Sequence, residues 1–145
     1  MLSTGEKPKI KAVGCLLECG GKFLILQRCP KKNQGGKWGL PAGRVEKGED
    51  ENDAIIREVQ EEVGFLIPPE KLEFLKKLEV AYIDRIIDFF VYRVKLEERI
   101  EVVLESQEHQ AYTWVTGKEC YARDDLINGV RGVLEKTGYM FTDAV

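Results

Sequence analysis

The sequence predicts an α/β fold in which helices cover a mixed β-sheet. Three observations carry that reading. Apolar runs at residues 10–19 and 22–28 flank Gly20-Gly21, a hairpin signal. Residues 50–63 separate acidic from apolar side chains at helical spacing. Residues 124–136 repeat Leu126, Ile127, Val130, Val133 and Leu134 at the same spacing. Strands with one helix in the middle and another at the end fit a sheet covered by helices. A chain of 145 residues is expected to form one domain, residues 1–145, large enough for a real core.

Each element has its own signal. The stretch 30–37, PKKNQGGK, is polar and Gly-containing and reads as a loop. Residues 38–43, WGLPAG, read as a short extended piece, since Pro41 excludes helix. The helix over 50–63 starts at Asp50, a capping residue with Asp53 three positions on. Gly64 stands where a C-terminal glycine cap belongs, and Pro68-Pro69 blocks continuation. Residues 72–82 and 86–96 flank Ile83-Asp84-Arg85 and read as a second pair of strands. His109–Val115 reads as another strand, and 124–136 as the amphipathic helix that closes the fold.

Composition narrows the function. The net charge is −3, with 32% charged and 43% hydrophobic residues. That balance argues against a nucleic-acid polymer or a membrane surface as partner. Residues 1–11, MLSTGEKPKIK, hold no apolar signal-peptide core, and no run approaches transmembrane length. Cys15, Cys19, Cys29 and Cys120 form no CxxC pair, which argues against zinc and for four reduced thiols in the cytoplasm.

The charge is uneven. Residues 43–64 hold eight carboxylates against Arg44, Lys47 and Arg57, a local net of −5 in a chain of −3. On the expected helix Glu58, Glu61 and Glu62 stand at i, i+3 and i+4 and project from one side. Ile56, Val59 and Val63 lie roughly opposite, so the core face aims the acids. Like charges at this spacing cost about 0.2–0.5 kcal/mol per pair in water. A solvated acidic face is the plain reading of such a run. The Gly/Pro-rich turn before the helix and Glu49 in the entering loop add a second one, a cup of oxygen ligands suited to Mg²⁺.

These residues also meet a known pattern. Gly43, five residues, Glu49, seven residues and then Arg57-Glu58-Val59-Gln60-Glu61-Glu62-Val63-Gly64-Phe65 resemble the Nudix box at every fixed position, with Phe65 at the final apolar place. Ala42 departs from the glycine that many members carry just before the box. The earlier strands, WGLPAG and the later EHQAYTWV resemble the family's usual surroundings. The resemblance implies a Nudix-type α/β/α sandwich that hydrolyses a nucleoside diphosphate linked to another group. It implies Mg²⁺, with Mn²⁺ as a substitute, held by Glu58, Glu62, Glu61 and the Gly43 carbonyl. Glu61 is a ligand or helps deprotonate water, and Arg57 with Glu49 resembles the pair that braces the helix.

Outside the box, Glu105 and Glu108 precede the His109–Val115 strand, where similar proteins supply a further ligand or the general base. The alternative for both is a solvated loop. His109 is a candidate to stack on a base or relay a proton, against the plain reading of a satisfied strand residue. Arg28 and Lys37 flank the expected site and are candidates for phosphate, whereas Lys31 and Lys32 read as solvated loop charges. Trp38 and Trp114 read as packing residues. Tyr82 stands 17 residues beyond Phe65, near a tyrosine associated in the family with diadenosine polyphosphate hydrolases. Val80 stands where a proline would favour ADP-ribose, and no coenzyme A extension is evident.

The expected activity is Mg²⁺-dependent pyrophosphohydrolysis of a nucleoside triphosphate or dinucleoside polyphosphate. Nucleotide-sugar hydrolysis is the second enzymatic reading. A non-catalytic nucleotide-sensing domain is the third, and the intact box acids Glu58, Glu61 and Glu62 count against it.

Overall fold

A computed structural model of the chain describes residues 7–143. Its strands are β1 (Lys9–Cys19), β2 (Lys22–Arg28), β3 (Trp38–Gly39), β4 (Ala42–Arg44), β5 (Glu73–Ala81), β6 (Ile86–Lys95) and β7 (His109–Val115). Its helices are α1 (Glu51–Val63), α2 (Gly117–Tyr121) and α3 (Val130–Thr137). The strands form one sheet in the order β3-β2-β1-β6-β5, with β4 paired to β1 and β7 to β2. The β1–β6 pair is parallel, Lys9 against Ile86 through Glu18 against Lys95, and the other pairs are antiparallel. The sheet is therefore mixed.

Strand alternation builds two cores. Val13, Cys15, Leu17, Leu24 and Leu26 leave one face and pack with Ala54, Ile55, Val59 and Val63 of α1. Leu16, Phe23, Ile25 and Val91 leave the other and pack with Cys120, Val130, Val133 and Leu134 of α2 and α3. The result is an α/β/α sandwich. Each fully buried aliphatic side chain contributes about 1.5–3 kcal/mol, so the first layer fixes α1 against one face of the sheet and the second fixes α2 and α3 against the other.

The last helix is shorter than its periodicity suggests. It begins at Val130, and residues 125–127 run beside β3 instead. The Trp38 N–H donates to the Asp125 carbonyl at 2.8 Å, and the Ile127 N–H donates to the Trp38 carbonyl at 2.8 Å. Gly129 then takes φ 98°, which cannot continue a helix upstream. Leu126 and Ile127 still pack on the second core, from an extended segment rather than a helical one. Helix α2 has no counterpart among the expected elements. Its Thr116 and Glu119 close a reciprocal capping box at 3.0 and 2.9 Å.

Candidate active site

Helix α1 is held at both ends. Asp50 Oδ1 accepts the Asp53 N–H at 2.8 Å, and Gly64 closes the helix in the left-handed region at φ 75°. Residues 103–105 then lie along its last turn. The Val103 N–H donates to the Val63 carbonyl at 3.0 Å, and the Glu105 N–H donates to the Glu62 carbonyl at 3.2 Å. Those carbonyls have no partner within a helix. Their capture brings the Glu105–Glu108 loop to the acidic face.

The three box acids occupy different environments. Glu62 is buried, and its Oε1 accepts the Ala42 N–H at 3.1 Å. The Glu58 side chain is mostly buried, at 13% exposure, whereas that of Glu61 is 56% exposed. Gly43 lies against Glu58 so closely that a Cβ there would fall 2.1 Å from Glu58 Cδ. Only glycine fits that contact with the carboxylate in place.

Arg57 is the hub. Its Nε and Nη2 donate to Glu49 at 2.9 and 3.0 Å, its Nη1 donates to Glu58 at 2.9 Å, and Nη2 also reaches the Arg44 carbonyl at 3.0 Å. Glu61 lies 3.4 Å from Nη1. The Arg57 hydrogen bond comes first among the effects that hold Glu49 below the usual carboxylate range. Burial, followed by hydrogen bonding to Glu58 and the Glu58 charge, pushes Glu62 well above that range. Burial also raises Glu58, against the pull of Arg57. The buried Glu62 and the partly buried Glu58 thus face each other, with the Arg57 guanidinium bound to Glu58, and burial makes the charged form of both less favourable.

The acids and the loop share a cleft of about 600 Å³ lined by Arg28, Ala42, Gly43, Glu58, Glu61, Glu62, Glu105, Gln107 and Glu108. Glu108 pairs with Lys32 at 3.1 Å, and both side chains remain well exposed, so Lys32 is a solvated loop charge with an acidic partner. Glu105 accepts the Gln107 N–H at 3.1 Å. A second cavity of about 300 Å³ adjoins the first, and Arg28, Ala42 and Gly43 line both. His109 and Tyr82 line the second cavity, together with Arg85, Phe89, Ile127 and Asn128, four residues that carry no sequence signal for a binding site. Lys37 lines neither. His109 is buried, and burial followed by the Arg28 charge pushes its imidazole below its ordinary range. Trp38 and Trp114 are partly buried on the cores, beneath Arg123 and Arg99 at 4.9 and 5.3 Å.

The donor set fits a hard divalent cation. It consists of carboxylate and carbonyl oxygens, and a cation beside Glu58 and Glu62 would offset the burial that raises both carboxyls. Among the described residues no three acidic, thiol or imidazole groups already converge as a closed metal cage. Glu61 faces solvent and Arg57, so only two of the three acids are drawn in. That openness suits an ion that keeps waters and bridges to substrate phosphate.

Comparison with known proteins agrees with this layout. The sequence profile described as NUDIX domain matches residues 8–136. The CTP pyrophosphohydrolase of Escherichia coli K12 is 31% identical over 110 residues, 76% of this chain and 78% of that protein. The 8-oxo-dGTP diphosphatase of the same organism is 32% identical over 105 residues, 72% of this chain and 78% of that protein. The crystal structure of the MutT protein from Methanosarcina mazei Go1 superposes with a TM-score of 0.79 at 26% identity, covering 92% of this chain and 95% of that one.

Proposed function

The chain belongs to the Nudix hydrolase family, and from that premise we propose that it is a Mg²⁺-dependent pyrophosphohydrolase of nucleoside triphosphates or dinucleoside polyphosphates. One observation carries the proposal. The buried Glu58–Glu62 pair opens into a cleft that joins the second, largely apolar cavity through Arg28 and Gly43. A nucleotide spans such a pair of spaces, its phosphates by the acids and its base in the apolar one. Relatives named for CTP and 8-oxo-dGTP favour the triphosphate. Tyr82 in the second cavity keeps the dinucleoside polyphosphate as a second reading.

In this reading Glu58, Glu62, Glu61 and the Gly43 carbonyl hold the ion. Bound Mg²⁺, or Mn²⁺ in its place, supplies charge neutralisation at the phosphates and a lowered pKa for its water. Arg57 and Glu49 keep α1 and its entering loop in register. Arg28 meets the phosphate chain where the two spaces join. Glu108 takes the proton from the attacking water, with Lys32 holding its carboxylate at the cleft wall. Glu105 and Glu61 are the comparison positions for that role. Lys37 lines neither cavity, and its carbonyl accepts the Arg28 N–H at 3.0 Å. His109, whose imidazole burial and then the Arg28 charge push below its ordinary range, packs beside the base in the second cavity. All of this takes place within one domain, and the four free cysteines support the cytoplasm as its compartment.

The test is release of pyrophosphate or phosphate from a panel of nucleoside triphosphates, dinucleoside polyphosphates and nucleotide sugars, with Mg²⁺ and with EDTA. Turnover of a triphosphate or dinucleoside polyphosphate that disappears with EDTA is expected. Turnover confined to nucleotide sugars, or undiminished in chelator, would overturn the proposal.

A further inference from the structure

The loop after β2 sets a lysine against the candidate base. The Cys29 N–H donates to the Glu108 carbonyl at 2.9 Å, which ties the start of that loop to the Glu105–Glu108 segment. The loop is also braced within itself. Arg28 Nε donates to the Asn33 carbonyl, the Gly35 N–H to the Lys32 carbonyl and the Gly36 N–H to the Arg28 carbonyl, each at 2.9 Å. Gly35 packs on the Pro30 backbone with no room for a Cβ. A backbone stapled in this way leaves the flexible four-carbon stem of Lys32 as the part that moves. Its Nζ donates to Glu108 Oε1 at 3.1 Å, and the two side chains are 38% and 40% exposed. An ion pair that exposed is weak, so another anion displaces the carboxylate at little cost.

The charge of the cleft decides what that anion is. Among the described residues its lining holds the carboxylates of Glu58, Glu61, Glu62, Glu105 and Glu108 against the single guanidinium of Arg28. Arg57 is committed to Glu49 and Glu58. A bound ion offsets charge at Glu58 and Glu62, but a chain of three phosphates brings more negative charge than Arg28 balances alone. Arg28 lines both spaces, so it stands where the nucleoside joins its phosphates, whereas Glu108 lines the acidic cleft only. Lys32, paired to Glu108, is thus placed beside the part of the cleft that the second cavity does not reach. Lysine binds phosphate there as a point charge. We propose that Lys32 is a phosphate-binding residue that passes from Glu108 to the terminal phosphate of a nucleoside triphosphate, so that one exchange selects the triphosphate and releases the Glu108 carboxylate to the attacking water. A nucleotide sugar ends in a neutral group and forgoes the contact. This inference rests on the nucleotide hydrolase reading of the cleft, and its test separates the two.

Calorimetric binding of CMP, GMP and the uncleaved α,β-methylene analogues of CTP and GTP is measured in Mg²⁺, alongside kcat and KM for the two triphosphates. The proteins are wild type, Lys32→Met, Lys32→Arg, Lys31→Met, Glu108→Gln and the Lys32→Met, Glu108→Gln double variant. Lys32→Met should weaken the triphosphate analogues roughly tenfold or more, the scale of a hydrogen bond to a charged group, raise KM for the triphosphates and leave the monophosphates within a few-fold. Lys32→Arg, which keeps the charge, should retain most of the binding, and Lys31→Met on the same loop should change it little. Glu108→Gln should tighten the analogues by up to about fivefold, the worth of an exposed ion pair, and the gain should vanish in the Lys32→Met background. This pattern in binding with no triphosphate hydrolysed would support the exchange while overturning the hydrolase reading. Equal weakening of monophosphates and analogues by Lys32→Met, or an equal gain from Glu108→Gln in both backgrounds, would overturn the exchange. A fall in kcat alone, with analogue binding unchanged, would make Lys32 a brace for Glu108 and overturn its phosphate role. Binding of no nucleotide at all would overturn both readings.

Discussion

At the scale of single residues, the site depends on how closely Gly43 meets Glu58. The atoms a Cβ would strike belong to the end of a flexible side chain, so Gly43→Ala should fold and displace the carboxylate. We expect Mg²⁺ affinity, measured by titration calorimetry, to fall at least about tenfold, the usual loss for a disturbed metal shell, with a near-native melting curve in chelator. Glu62→Gln should abolish turnover while leaving stability in chelator unchanged or higher, because it removes a buried acid that resists ionisation. Near-native turnover would remove Glu62 from the ligand set. Glu108→Gln should slow single turnover roughly 10²–10⁴-fold and keep Mg²⁺ binding to the free enzyme within a few-fold. An unchanged rate would move the base to Glu61 or Glu105. The offsets of Glu58, Glu61 and Glu62 were legible from helical geometry alone. Their unequal burial was not, because Ala42 and Gly43, which enclose Glu62 and Glu58, arrive from another strand. Lys32 meets Glu108 across 76 residues, a separation that local pattern does not span.

At the scale of elements, α1 was readable from end to end because both caps are local. Asp50→Ala removes the bond from the Asp53 N–H and should destabilise the protein by about 1 kcal/mol, read from urea denaturation. Arg57→Ala should lower both the melting temperature and the turnover, since one guanidinium ties Glu49, Glu58 and the Arg44 carbonyl together. Loss of activity with no loss of stability would mean that Arg57 acts on substrate rather than as a brace. The C-terminal helix was legible only in its apolar spacing. Leu126 and Ile127 satisfy helical periodicity and still pack inward, but Trp38 captures their backbone and Gly129 bars the helix from reaching them. Helix α2 did carry a sequence signal, the Thr116–Glu119 pair, weak in a five-residue segment.

At the scale of the whole molecule, strand alternation gave both cores, while the sheet order did not follow from it. Placing β1 parallel to β6 and pairing β7 with β2 are non-local choices, and they bring Glu108, Arg28 and the box helix to one cleft. The second cavity, assembled from β5, β6, the loop after β2 and residues 127–130, is legible only once the chain is folded. The central claim is that the buried acid pair and its cleft form a cation-dependent pyrophosphohydrolase site. The most direct measurement follows conversion of a nucleoside triphosphate to monophosphate and pyrophosphate by wild type and Glu62→Gln, in Mg²⁺ and in EDTA, with melting curves on the same samples. Turnover is expected only for wild type in Mg²⁺, with a melting temperature raised by the ion through binding to the folded state. Full turnover by metal-stripped wild type, or by Glu62→Gln, would contradict it.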